Sequence, residues 1–171
     1  MAEAPLGWVV DTNVLSNRGD VEADPNRVEW LRRNARLVRI SVATVAEMRR
    51  GLFLLEARIV ATADRKVRAR EQARLDWKRA WYDELTGRFA DRLEPIDMVV
   101  AETWAETSVQ FPSLKDGDKA IAATALPRGY GVATENPGDF RRTGVKLVNP
   151  FDPDSWDEGP EIDPETSLIR L

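Results

Sequence analysis

Trp8-Val9-Val10-Asp11-Thr12-Asn13-Val14-Leu15-Ser16 is a short apolar run that ends on a carboxylate, with small polar residues after it. Leu6 to Val10 reads as a short, fully buried strand. Thr12 to Arg18 reads as a short helix with Asp11 or Thr12 near its start. In an open α/β sheet, ligands bind at the carboxyl ends of the strands. An acid placed there asks for a cation or a proton.

Outward from that stretch, the pattern repeats. Asp24-Pro25 is a helix start, an N-cap candidate followed by proline at the first helical position, and the helix carries Val28, Leu31 and Ala35 on one face. Leu37 to Ser41 is a second strand. Ser41 to Glu47 leads into a helix that runs to about Glu56 or beyond. Thr62 to Ala90 is a long helix, broken near Ala61 to Asp64, with Val67, Leu75, Trp81, Leu85 and Phe89 as its apolar side. Glu94 to Ile96 is a strand, and Asp97 caps a helix through about Gln110, with Val100 and Trp104 four apart. Phe111 to Gly117 is a loop. Asp118 then opens an alanine-rich helix that Pro127 ends. Gly131 to Thr134 is a strand, Asn136 to Asp139 a turn, and Lys146 to Val148 a last strand. Strands that alternate with helices predict an α/β fold with a parallel sheet covered on both faces.

Composition narrows the chemistry. The chain has 171 residues, enough for one domain with its own core. It contains no cysteine, which excludes disulfides, thiolate zinc sites and cysteine nucleophiles. It contains no histidine either, so Ser-His-Asp catalysis, paired-histidine nucleases and histidine zinc sites are excluded. Carboxylates must carry any acid–base or metal chemistry, and all-oxygen sites favour magnesium or manganese. No run reaches the roughly 20 apolar residues that span a bilayer, and Met1 to Pro5 lacks the features of a signal peptide. A cytoplasmic setting with no membrane association is expected. The tail from Phe151 to Leu171 holds seven acids against Arg170 alone, a net of −6 within a chain of net −4. Residues 1–150 are therefore at +2, and the acidic total does not argue against a nucleic-acid substrate. Pro153, Pro160 and Pro164 mark residues 151–171 as an arm, flexible or docked on the surface.

Four acids stand near element ends: Asp11, Glu47, Asp118 and Asp139. Each has an ordinary structural explanation. Asp11 caps the following helix; Thr44-x-x-Glu47 is a capping box; Asp118 sits in a first helical turn; Asp139 is a turn residue. Asp116 reads as a helix N-cap. The four together say more. In a parallel sheet, strand ends and departing helices share one edge, which makes Asp11, Glu47 and Asp139 neighbours, with Asp118 joining if its helix begins there. Carboxylates crowded together repel, and a divalent cation relieves the repulsion.

Four motifs in order carry a family resemblance. They are Val10-Asp11-Thr12-Asn13-Val14-Leu15-Ser16; Ile40-Ser41-x-x-Thr44-Val45-Ala46-Glu47-x-x-x-Gly51; Asp118-x-x-Ile121-Ala122-Ala123-Thr124-Ala125; and Ala133-Thr134-x-Asn136-x-x-Asp139-Phe140. Over roughly residues 7–150 the chain resembles a PIN-domain ribonuclease of the VapC type, in the FitB-like branch of type II toxin–antitoxin toxins. The resemblance implies a PIN domain over 1–150, built as an α/β/α sandwich around a parallel sheet of four to five strands. It implies that Asp11, Glu47, Asp118 and Asp139 hold one or two Mg2+ or Mn2+ ions, with Asp11 and Asp118 as central ligands. Glu47 would bind metal or orient the attacking water, and Asp139 would complete the cluster. Thr12 and Asn136 would be supporting polar groups. The implied reaction is endonucleolytic hydrolysis of RNA by a metal-activated water. The implied partners are a VapB-type antitoxin and a second copy of the chain, as a homodimer or dimer of heterodimers.

Glu135 departs from the family, where a basic residue is common. Arg58 to Arg79 is rich in arginine, and a solvated, ion-paired helix face is favoured over an RNA-contacting rim. Trp77 and Trp81 share a helix face suited to core or dimer packing. Two rival functions remain: a catalytically silent scaffold that binds RNA or a protein, and a phosphotransfer protein with Asp11 as nucleophile. The second needs an aspartate two residues on, where Asn13 stands.

Overall fold

The computed structural model describes residues 4–15 and 24–156. Five short strands form one parallel sheet: β1 (Trp8–Val10), β2 (Val38–Ser41), β3 (Leu93–Glu94), β4 (Gly131–Ala133) and β5 (Leu147–Val148). Their order is β3-β2-β1-β4-β5. β1 lies at the centre, and the chain builds outward on one side of it before returning to build on the other. The crevice between β1 and β4 is therefore the topological switch point, where α/β sheets place their ligands. The expected parallel sheet, flanked by helices as in a PIN-like α/β/α fold, is what forms.

β1, β4 and β5 are apolar throughout because both faces are covered, while β2 carries Arg39 and β3 carries Glu94, which meet at 3.5 Å. Alternation along each strand sends side chains to opposite faces. Trp8, Val10, Val38, Ile40 and Ala133 join a core with Trp30, Leu31, Leu85 and Phe89 from the helices on one face. Val9 and Val132 join Ile121, Ala122 and Ala125 on the other. Seven helices surround the sheet among the described residues: α1 (Thr12–Leu15), α2 (Pro25–Arg33), α3 (Val42–Ala61), α4 (Arg65–Arg88), α5 (Met98–Gln110), α6 (Asp116–Ala125) and α7 (Pro137–Phe140). The alanines of α6 are buried, which lets that helix lie close against the sheet. No described helix is long and apolar enough to cross a membrane.

Several helix ends follow directly from the sequence. Asp24 accepts from the Arg27 amide and Asp97 from the Val100 amide. The break expected near Ala61 to Asp64 falls there, and Asp64 caps α4 through the Lys66 and Val67 amides. Other expectations need correction. The expected helix from Thr12 is described only to Leu15, because Arg18 lies outside the described residues. Trp30, not Val28, accompanies Leu31 on the buried face of α2. Val67 is exposed, because α4 extends beyond the sheet there and pairs with α3 through Leu52, Leu55, Ile59 and Leu75. The helix expected to reach Glu56 or beyond does so: α3 runs to Ala61, since nothing in Ala57 to Ala61 opposes helix.

The basic run on α4 forms the expected ion-paired face. Arg79 meets Glu56 of α3 at 2.9 Å, Arg74 meets Glu71 at 3.6 Å, and Arg68 donates to the Thr62 carbonyl. Trp81 packs against the core, whereas Trp77 stays half exposed. At the other end, Trp156 packs against the core, its indole N–H donates to the Asn149 carbonyl, and Arg33 lies over its ring. The acids from Asp157 onward lie outside the described residues.

Candidate active site

Asp11 is the first residue past β1. The register pairs Val10 with Ala133, which sets Asp11 opposite Thr134 just past β4. The fully buried Thr134 hydroxyl donates to Asp11 Oδ2 at 2.8 Å. The Asn13 side-chain amide donates to the same oxygen at 2.8 Å, and the Thr12 amide donates to Oδ1 at 2.6 Å. Burial pushes the Asp11 pKa up and Glu47 adds to that, while these three donors oppose it. The local cap explanation therefore covers only part of Asp11. A helix cap needs no hydroxyl from a strand 123 residues away.

The capping box at Thr44 and Glu47 does not form. Ser41 is the N-cap of α3, with its hydroxyl accepting from the Ala43 amide. Thr44 lies inside the helix, and its buried hydroxyl has no hydrogen-bond partner among the described residues. Freed from capping, Glu47 Oε2 accepts from the Thr12 hydroxyl at 2.7 Å. Gly117, at the start of α6, stands beside it: a Cβ there would lie 3.8 Å from Glu47 Oε2.

Asp118 is the electrostatic hub. It is the third residue of α6, and its pKa is raised to about 6. Burial is the largest cause; the negative charges of Asp11, Asp139 and Glu47 add to it, and Lys115 opposes them. Asp139 lies in the first turn of α7, after Pro137, and lines the same cleft as Asp118. The topology thus brings Asp11, Glu47 and Asp139 within electrostatic reach of Asp118. Asp116 stands apart. Lys115, not Asp116, is the N-cap residue of α6, and no side chain caps that end. Asp116 instead accepts from the Lys119 ammonium at 3.1 Å, with its carboxyl pointed to solvent.

Two residues inside the motifs, Thr134 and Asn13, orient Asp11 through their side chains, a role the motifs alone do not assign. The signal for Thr134 is the parallel register, which needs the strand neighbours as well as the motif. Asn13 also accepts from the Glu135 amide through its Oδ1 at 3.2 Å, so one side chain ties the loop after β4 to Asp11. Asn136 contributes through its backbone N–H, which donates to Thr134 Oγ1.

No three of these acids converge on one point among the described residues. Magnesium does not require that, because it keeps several waters and needs one or two carboxylates. An all-oxygen donor set whose central member is pushed toward protonation by its neighbours suits a hard divalent cation.

The chain is an α/β protein with a parallel sheet and acids gathered at its switch point, where such sheets bind ligands. The PIN domain family model matches residues 8–146, and the chain belongs to that family. It is 30% identical over 152 residues to the VapC ribonuclease Y4jK of Sinorhizobium fredii, covering 85% of this chain and 98% of the relative. The crystal structure of FitAcB from Neisseria gonorrhoeae superposes with a TM-score of 0.60 at 28% identity, covering 84% of this chain and 98% of that one. VapBC-5 of Mycobacterium tuberculosis, a member of the VapBC family of toxin–antitoxin systems, matches with a TM-score of 0.50 at 25% identity over 85% of this chain and 99% of that chain.

Proposed function

We propose that this chain is a Mg2+- or Mn2+-dependent endoribonuclease toxin of a toxin–antitoxin pair that hydrolyses phosphodiester bonds of RNA. The observation that carries the reading is the raised Asp118 carboxyl, surrounded by Asp11, Glu47 and Asp139 at the switch point. The names of the relatives supply the substrate class and the expectation of a VapB-type antitoxin. A homodimer or a dimer of heterodimers is the proposed assembly.

Asp11 and Asp118 are the proposed central ligands of one or two ions, with Glu47 and Asp139 beside them. The bound ion would polarise the phosphate and lower the pKa of a coordinated water. The chain's own residues prepare for that. Thr134, Asn13 and the Thr12 amide fix the orientation of Asp11 and oppose the upward push of burial on its carboxyl. Thr12 holds Glu47 toward the cluster as a base or water-orienting group. Without histidine, the protons released must pass to these carboxylates or to solvent.

Purified protein incubated with RNA should release cleaved fragments with Mg2+ or Mn2+ and none in excess EDTA. Cleavage undiminished by EDTA would overturn the metal-dependent reading; no cleavage in either metal, with Mn2+ still bound by calorimetry, would favour a silent scaffold. Thr134→Val keeps the side-chain volume but removes the hydroxyl that orients Asp11. By analogy with other groups that orient metal ligands, activity should fall roughly 10- to 100-fold. The measurement is cleavage rate against Mn2+ concentration, where the half-saturating concentration should rise.

A further inference from the structure

Beside the acid cluster lies a cleft of about 210 Å3 with two basic walls. One wall is the loop into α6, with Phe111, Leu114 and Lys115; the other is α7 and the turn after it, with Gly138, Arg142 and Thr143. Asp118 and Asp139 sit where the walls meet the cluster. We propose that this cleft is the subsite for the nucleotide next to the scissile phosphate, with its phosphate held between Lys115 and Arg142 and its base on Phe111.

The inference rests on the ribonuclease reading above and extends it to residues outside the acid quartet. Among the described residues, neither Lys115 nor Arg142 forms an ion pair, although both flank carboxylates. Both side chains are exposed, so an arriving phosphate displaces water rather than an internal partner. The Arg142 guanidinium lies 5.9 Å from the Phe111 ring centroid and shields that face. When it turns to a phosphate, it leaves an aromatic face free for a base, and base–aromatic stacking is tolerant of sequence. The walls are anchored: the Phe111 amide donates to the Thr107 carbonyl, the Leu114 amide to the Phe111 carbonyl, and the Thr143 hydroxyl to the Phe140 carbonyl. Gly138 keeps the cleft open. A Cβ there would meet nothing within 4 Å, and its backbone conformation is open to other residues. The cleft is smaller than the roughly 300 Å3 at which drug-sized pockets begin, a size that suits a single unstacked base and its phosphate.

The test is fluorescence anisotropy of a labelled, mixed-sequence single-stranded RNA bound to the full chain with Ca2+ present, across a salt series. Removing both cations, in Lys115→Gln/Arg142→Gln, should flatten the slope of log K against log salt by about 0.7, the value for one single-strand phosphate contact. Phe111→Leu should weaken binding roughly five- to a hundred-fold, from the typical cost of a lost stacking partner, and that loss should vanish on an abasic strand. Gly138→Leu should plug the cleft and weaken binding at least about ten-fold, with an unchanged melting temperature. Slope and affinity unchanged in the double variant and in Gly138→Leu would overturn the subsite. Cleavage by the wild-type chain is scored separately. If cleavage holds and the binding contrasts fail, the subsite alone falls; if the contrasts hold and cleavage never appears, the ribonuclease reading falls and nucleotide binding stands.

Discussion

Asp118→Asn is expected to melt higher than the wild-type chain at pH 7 in EDTA, and to cleave RNA on the order of a thousand-fold more slowly in Mg2+ or Mn2+. The two effects share one cause. Burial and three neighbouring acids raise the Asp118 pKa from 3.8 to about 6 in the folded protein. The folded state then binds this proton more tightly than the unfolded chain does. Between the unfolded value and about 6, stability falls as pH rises, and above that the full cost remains. Thermal melts of the metal-free wild type should therefore improve as pH is lowered from 7 toward 5, until other groups titrate. The asparagine amide carries no charge, so the variant should lose most of that slope. Solvent screens part of the repulsion, because Asp118 is only half buried. Catalysis moves the other way. A divalent ion typically supplies several kcal/mol of charge stabilisation at a transition state, and about 1.4 kcal/mol is tenfold in rate. Added Mn2+ should raise the melting temperature of the wild type and leave Asp118→Asn nearly unmoved. A variant that melts lower at pH 7 in EDTA, or that cleaves at the wild-type rate, would contradict this account.

Gly131→Ala is expected to lower stability by about 1–3 kcal/mol, the usual cost of overpacking a core, or a melting-temperature loss of roughly 3–10 °C for a domain of this size. Gly131 pairs with Trp8 across β1 and β4. A Cβ on Gly131 would sit 2.3 Å from Trp8 Cζ3 and 3.0 Å from the Lys146 carbonyl oxygen. The Trp8 ring cannot retreat freely, because it stands edge-on to Trp30 with ring centroids 6.0 Å apart, inside the core. The clash forces either the ring or β4 to shift. Because Thr134 follows β4 and orients Asp11, a β4 shift should also reduce cleavage at temperatures well below the melt. Differential scanning fluorimetry beside cleavage rates separates the two consequences. Wild-type stability in Gly131→Ala would show that Trp8 has room the packing does not provide.

β1, β4 and β5 were legible in the sequence because each is a short apolar run bounded by a turn or helix signal, as in Trp8 to Asp11, whereas the strand expected at Glu94 to Ile96 forms at Leu93 and Glu94. The caps at Asp24 and Asp97 were legible because their partners lie three residues away. What escaped was non-local. The exposure of Val67 depends on where α4 leaves the sheet, and periodicity along one helix does not encode that. The capping box at Thr44 was a fair local reading, but Ser41 ends β2 and takes the cap, which leaves Glu47 for Thr12. Thr134 needed the register of β4 against β1. The cleft residues Lys115 and Arg142 needed the packing of two loops.

The central position of β1 also bears on synthesis. Its second neighbour, β4, comes more than 120 residues later, so a chain still emerging from the ribosome holds Asp11 with neither Thr134 nor Asp139 in place. N-terminal segments can fold as they appear, but this sheet is completed from its middle by its late strands. A chain that stops short of residue 134 lacks the hydroxyl that orients Asp11, and all four acids are present together only once translation has passed residue 139.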